Sequence, residues 1–234
     1  MDSELKLRYA RQIAVPEVGQ EGQQKLLESK VLVIGCGALG SMVAMQLAAA
    51  GVGTLGIADF DKVDISNLQR QFFFKTEDSG DLKVELVYRS ISAINPKANV
   101  KIHREMITSL KAVKLFPNYD FIVDATDNPD SKRMTGEVSR KSHKPCCIAG
   151  VRDFRGQVMT FLPSDPRFED YFGQAVSEGL LPCSLGGVMG PSAAIAASLQ
   201  ASEAIKYLVG IGNLLSGRLL IFNLLSNSFR LLSL

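Results

Sequence analysis

Gly35, Gly37 and Gly40, in the run Val31-Leu32-Val33-Ile34-Gly35-Cys36-Gly37-Ala38-Leu39-Gly40, and Asp59, 19 residues further on, have the spacing of a nucleotide site. A glycine at 35 or 37 lets an anionic phosphate approach the free N–H groups of a helix start without meeting a Cβ. Asp59 then falls where a carboxylate accepts hydrogen bonds from ribose hydroxyls. The pattern suits ATP and a dinucleotide equally.

Strands and helices must position those residues. Val31 to Ile34 is a short apolar run rich in β-branched side chains, the mark of a strand buried on both faces. Two short helices, 5–15 and 19–29, precede it as an N-terminal cap, with Gln23, Gln24 and Lys25 expected to face water. Alternation follows: helix 38–50, strand 54–58, helix 81–94, strand 99–104, helix 109–116, strand 120–123, helix 129–142 and strand 146–149. This order predicts a Rossmann-like, doubly wound α/β sheet in a single domain over 1–234. After Gly150 a strand at 156–161 arrives with no helix before it, so the sheet is expected to turn mixed and antiparallel. Residues 163–187 carry three prolines and four glycines and read as a long crossover loop. A helix at 191–209 and a hairpin of 219–223 with 228–232 complete the chain.

The 26 basic and 24 acidic residues contain no basic run, so nothing in the charge pattern suggests a nucleic-acid footprint. The most apolar stretch, 188–209, is interrupted by Pro191, Ser192, Ser198, Gln200, Ser202, Glu203 and Lys206, which argues against a membrane span. The start, Met1-Asp2-Ser3-Glu4, lacks a secretory pattern, and a cytoplasmic location is expected. Cys36, Cys146, Cys147 and Cys183 form no Cys-x-x-Cys pair, so neither a disulfide framework nor a zinc site is expected. Cys146 and Cys147 read as packing, Cys36 as an inert loop residue, and His103 and His143 as surface residues.

Several further blocks occur in order: Arg8-Tyr9-Ala10-Arg11-Gln12, the glycine loop, Asp59 to Gln71, Lys83-Val84-Glu85, Asn95-Pro96, Ala125-Thr126-Asp127-Asn128 and Gly186-Gly187-Val188-Met189-Gly190-Pro191. Together, from about residue 7 to 229, they resemble the ThiF/MoeB/HesA family, bacterial relatives of the ubiquitin-activating enzymes, and most closely its ThiF branch. The resemblance implies an ATP-dependent adenylyltransferase. It would activate the C-terminal Gly-Gly carboxylate of a ubiquitin-like sulfur-carrier protein, ThiS-like for thiamine synthesis or MoaD-like for molybdopterin. By the same resemblance Arg70 and Lys83 bind phosphates, Asn67 makes a polar phosphate contact, and Asp127 holds Mg²⁺. Asp59 meets the ribose and Asn128 lies beside the nucleotide. Gly35, Gly37, Ala38, Gly40, Asp61, Ser66, Leu68 and Gln69 complete the implied ATP-binding set. Arg11 resembles the arginine given to a neighbouring subunit's site, implying a homodimer. Cys183 stands where the thiamine branch links a crossover-loop cysteine to sulfur transfer, implying a sulfurtransferase as a further partner.

Each assignment has a plainer reading. Arg70 and Lys83 can be solvated helix residues. Asp127 and Asn128 can be an N-cap turn before Pro129, and Ser66 the cap of a short helix. Arg11 can pair with a carboxylate of its own helix, and Cys183 can be a small apolar filler. Two departures from the family pattern stand out: its paired Cys-x-x-Cys zinc ligands are missing, and Ala38 replaces a glycine found in some members. Beyond the carrier-adenylating reading, an NAD-dependent oxidoreductase or a non-catalytic partner subunit remains open. A relative that dehydrates a modified tRNA base has no basic face here to support it.

Overall fold

The computed structural model describes every residue except 2, 169 and 172–185. One eight-stranded sheet runs in the order β3-β2-β1-β4-β5-β6-β7-β8. Its parallel part is β1 (Lys30–Ile34), β2 (Thr54–Ala58), β3 (Asn99–His103), β4 (Phe121–Asp124) and β5 (Cys146–Arg152). β6 (Arg155–Phe161), β7 (Arg218–Asn223) and β8 (Ser228–Ser233) extend it antiparallel, the mixed sheet expected from the loss of alternation after Gly150.

Alternation along each strand divides the core into two faces. Val31, Val33, Phe121, Val123, Cys147 and Ala149 point to a cluster covered by α4 (Gly40–Ala50), α5 (Lys83–Ile94) and the alanine-rich α8 (Gly190–Val209). Leu32, Ile34, Ile122, Cys146, Ile148 and Met159 point to a second cluster, beneath α6 (Ser109–Leu115) and α7 (Pro129–Lys141). No described helix is long and apolar enough to cross a membrane.

The N-terminal cap departs from expectation twice. Residues 5–15 are not one helix: α1 (Ser3–Arg8) and α2 (Ala10–Ile13) break at Tyr9, which is 2% exposed and accepts a hydrogen bond from Asn95 Nδ2. Gln23, on α3 (Gly19–Glu28), does not face water but is fully buried. Its Nε2 donates to the Ala50 carbonyl and its Oε1 accepts from Gln12 Nε2, which donates to the same carbonyl. The last carbonyls of a helix have no partner within it, and α4 obtains its partners here from side chains of the cap. Gly51 closes α4 at φ +90°, where a Cβ would strike Tyr9 and Gln23.

Among the histidines, His143 is exposed, but His103 is half-buried with Nε2 3.4 Å from the Tyr119 hydroxyl. Burial lowers its pKa.

Candidate active site

A cleft of about 400 Å³ lies outside the carboxyl ends of β1, β2, β4 and β5. There the strand order reverses between β1 and β4, the place where open α/β sheets bind ligands. Its floor is the loop between β1 and α4. Gly35 adopts φ +92° with its N–H on the Ala58 carbonyl, and the chain doubles back so tightly that a Cβ on Gly40 would sit 1.8 Å from the Gly35 carbonyl oxygen. Gly40 thus shapes the loop without lining the cleft, whereas Gly35, Gly37 and Ala38 line it.

Asp59 follows β2 and is 9% exposed. Its carboxylate accepts from the Cys36 N–H at 2.6 Å and the Asp61 N–H at 2.7 Å, strapping the glycine loop to the next βα turn. Burial raises its pKa, against the pull of those two N–H groups and of Lys83. Cys36 is buried, and burial followed by the Asp59 charge raises its thiol pKa well above the ordinary value. Cys146 is pushed up to about 12 by burial, and Cys147 is also raised. Reactive thiols have depressed pKa values, so these three are packing groups.

Lys83 opens α5, a position where the helix dipole disfavours a cation. Its side chain is 7% exposed and reaches Asp61 at 3.1 Å. A buried ammonium against a dipole is a poor choice for stability alone and a good one for an anion. Arg70 lines the same cleft, held by one hydrogen bond of 3.1 Å to the Ser66 carbonyl. Asp127 and Asn128 divide their labour. Asn128 caps α7, its Oδ1 accepting from the Asp130 N–H at 2.8 Å, while Asp127 is exposed to the cleft with no hydrogen bond or ion pair among the described residues.

The structure therefore gathers Gly35, Gly37, Ala38, Asp59, Asp61, Gln69, Arg70, Lys83, Asp127 and Asn128 around one cleft. Ser66, Asn67 and Leu68 stand just outside its lining. Asp64 caps their short 3₁₀ turn through the Ser66 N–H, the Asn67 carbonyl accepts from the N–H groups of Arg70 and Gln71, and Leu68 packs on the core. Arg11 is exposed on α2 and away from this cleft. Cys183 lies outside the described residues.

Sequence reasoning missed several lining residues. Glu105, Met106 and Ile107 follow β3, and the rule that ligands sit beyond carboxyl strand ends could have flagged them. Gln71 is 5% exposed, and its Oε1 has no hydrogen-bond partner among the described residues. A buried unpaired amide oxygen costs free energy that a ligand can recover.

A glycine loop, a strand-end carboxylate and two cations thus lie together at the switch point of a doubly wound α/β sheet. This chain belongs to the ThiF family, whose model matches residues 9–234. It is 39% identical over 230 residues to a Gracilaria tenuistipitata var. liui protein named "probable molybdopterin-synthase adenylyltransferase", covering 97% of this chain and 65% of the relative. It is also 37% identical over 233 residues to the "sulfur carrier protein adenylyltransferase" of Thermus thermophilus, covering 97% and 86%. The chain thus spans less than two thirds of the algal relative's length. Its fold matches that of E. coli MccB, solved with ATP, at a TM-score of 0.84 and 22% identity over 100% of this chain and 73% of that one.

Proposed function

We propose that this protein is an ATP-dependent adenylyltransferase that activates the C-terminal Gly-Gly carboxylate of a ubiquitin-like sulfur-carrier protein. One observation carries the reading: Arg70, Lys83 and the unengaged Asp127 converge on the cleft that also holds the glycine loop and Asp59. In such a reaction a carboxylate oxygen of the tail bonds to the α-phosphorus of ATP as the bond to the bridging oxygen of pyrophosphate breaks. Negative charge accumulates on the attacked phosphate and on the leaving group. Arg70 and the desolvated Lys83 are fixed cations for that charge.

Mg²⁺ fits the donor set. Asp127 offers hard oxygen ligands, and no group of three or more His, Cys, Asp or Glu among the described residues forms a protein cage, so the ion would be shared with phosphate oxygens. The charges agree. Glu105 is paired with Lys111, leaving Asp59, Asp61 and Asp127 against Arg70 and Lys83, a formal balance of −1 into which a triphosphate must come. When bound, the divalent ion would neutralise part of that charge.

A homodimer with Arg11 acting in trans belongs to the same proposal. In the Arg8 to Gln12 block, Arg8 donates to the Ile94 carbonyl, Tyr9 is bonded to Asn95 and Gln12 serves α4. Arg11 has no hydrogen bond or ion pair among the described residues, so it is the one polar member not spent locally. A covalent role for Cys183 and a sulfurtransferase partner are parts of the proposal that rest on the family, and a cytoplasmic location is part of it as a sequence-based expectation. The names of the two relatives support a ThiS-like or a MoaD-like carrier alike; thiamine synthesis is the first choice because the chain contains the Pro182-Cys183-Ser184 segment. Family membership weighs against the oxidoreductase, and the retained Arg70 and Lys83 against the non-catalytic subunit.

The test is exchange of radiolabelled pyrophosphate into ATP with purified protein, Mg²⁺ and ThiS-like or MoaD-like carriers, with mass spectrometry for the carrier adenylate. Exchange with one carrier names the branch, and none with any Gly-Gly carrier overturns the proposal. Mixing Arg11→Ala with Arg70→Ala protein should restore about a quarter of wild-type exchange, because half the dimers are mixed and each rebuilds one site.

A further inference from the structure

Beneath the Asp127 loop lies a buried ionic cluster. Lys132 is 8% exposed and Asp124 fully buried. The Lys132 ammonium donates to the Thr126 carbonyl and sits 3.3 Å from Asp124 Oδ1. Asp124 also accepts from the Thr126 N–H at 3.0 Å, the Thr126 hydroxyl at 2.7 Å and the Thr135 hydroxyl at 2.7 Å. Gln200 of α8 donates to the Asp124 carbonyl at 2.8 Å. Both backbone polar groups of Thr126, the residue before Asp127, are thus turned inward and held. The Asp127 side chain makes none of these bonds and lines the cleft.

We propose that Lys132 is a positioning residue: clamped between the Asp124 carboxylate and the Thr126 carbonyl, it sets the loop so that Asp127 presents its oxygens to the metal-bearing phosphates. The inference rests on the adenylation reading for the role of Asp127, but the clamp itself does not. Lys132 is not among the residues lining the cleft, so it acts through the loop. Without the ammonium, the Thr126 carbonyl loses its donor while Asp124 retains three neutral ones. The loop can then turn that carbonyl to water, swinging Asp127 away.

Two readouts test this on the 234-residue chain. Amide hydrogen exchange of the ligand-free protein should speed up about tenfold at 125–128 in Lys132→Met, with β1 and β2 unchanged. Calorimetric binding of a non-hydrolysable ATP analogue should need about tenfold more Mg²⁺ for half-saturation, as loss of outer-shell partners does in metal sites, with metal-free affinity unaltered. Lys132→Arg, which keeps the cation, should restore both. Should the lone buried carboxylate unfold Lys132→Met, the neutral pair Asp124→Asn with Lys132→Met is the variant to measure. Wild-type loop exchange and Mg²⁺ dependence in a folded variant overturn the proposal. If wild-type protein binds no analogue, the adenylation reading fails, and the exchange experiment still judges the clamp.

Discussion

The parallel and antiparallel halves of the sheet solve different problems. β1, β2 and β4 are buried on nearly every residue, sandwiched by helices on both faces, and their carboxyl ends hold the cleft. β8 has no residue fully buried, and Phe229, Leu231, Leu232 and Leu234 are all between 43% and 55% exposed. A site that must aim cations at developing charge needs strand ends and helix starts locked by packing. An outer antiparallel hairpin does not share that demand. The junction is β6, whose Gly156 leaves room for the Phe222 ring of β7 to reach the main core.

Six substitutions sharpen or break this contrast. Gly40→Ala drives a methyl into the Gly35 carbonyl and should cost on the order of 5 kcal/mol by denaturant titration, while Gly37→Ala, whose Cβ meets only Gln71 at 3.5 Å, should cost under about 1. Equal costs would mean that the loop is not the rigid element described. Phe222→Ala removes a fully buried ring and should cost about 3–5 kcal/mol, against roughly 1 or less for the half-exposed Phe229 stacked 5.8 Å from it. A comparable loss at both sites would place β8 in the core.

Arg70→Ala should lower pyrophosphate exchange by about 100- to 1,000-fold with an unchanged melting temperature, since it removes a charge contact and little packing. Exchange that survives it refutes the role given to Arg70. The smallest effect concerns pH. The folded pKa of Asp59 is raised, so its ionisation costs stability above that value, a cost that vanishes as pH falls towards the ordinary carboxylate value of about 3.9. The difference in melting temperature between Asp59→Asn and wild type should therefore shift against the variant on acidification. A constant offset between pH 7 and 4 would show that burial is not what governs Asp59.

Much of the cleft could be read from the chain. The glycine loop, Asp59 and Asp127 lie within a few residues of a strand end, and Arg70 and Lys83 belong to sequence blocks that carry the family resemblance. Gln23 and Lys132 could not be read this way. Each lies in a polar stretch and looks solvated, but Gln23 is buried by the open carbonyl end of α4, and Lys132 by a carboxylate eight residues earlier at the end of β4. Gln71 is similar, buried against a loop more than thirty residues before it in the chain.

Periodicity, in the sequence alone, determined the order of elements and the turn from parallel to antiparallel pairing, and the family resemblance pointed to residues that the structure gathers around one cleft. Only the tertiary structure decided which polar side chains lie inside and which loop carbonyls they hold. The physical reason is that the burial of a polar group depends on whether a distant element brings it a partner, and spacing along the chain carries no record of that meeting.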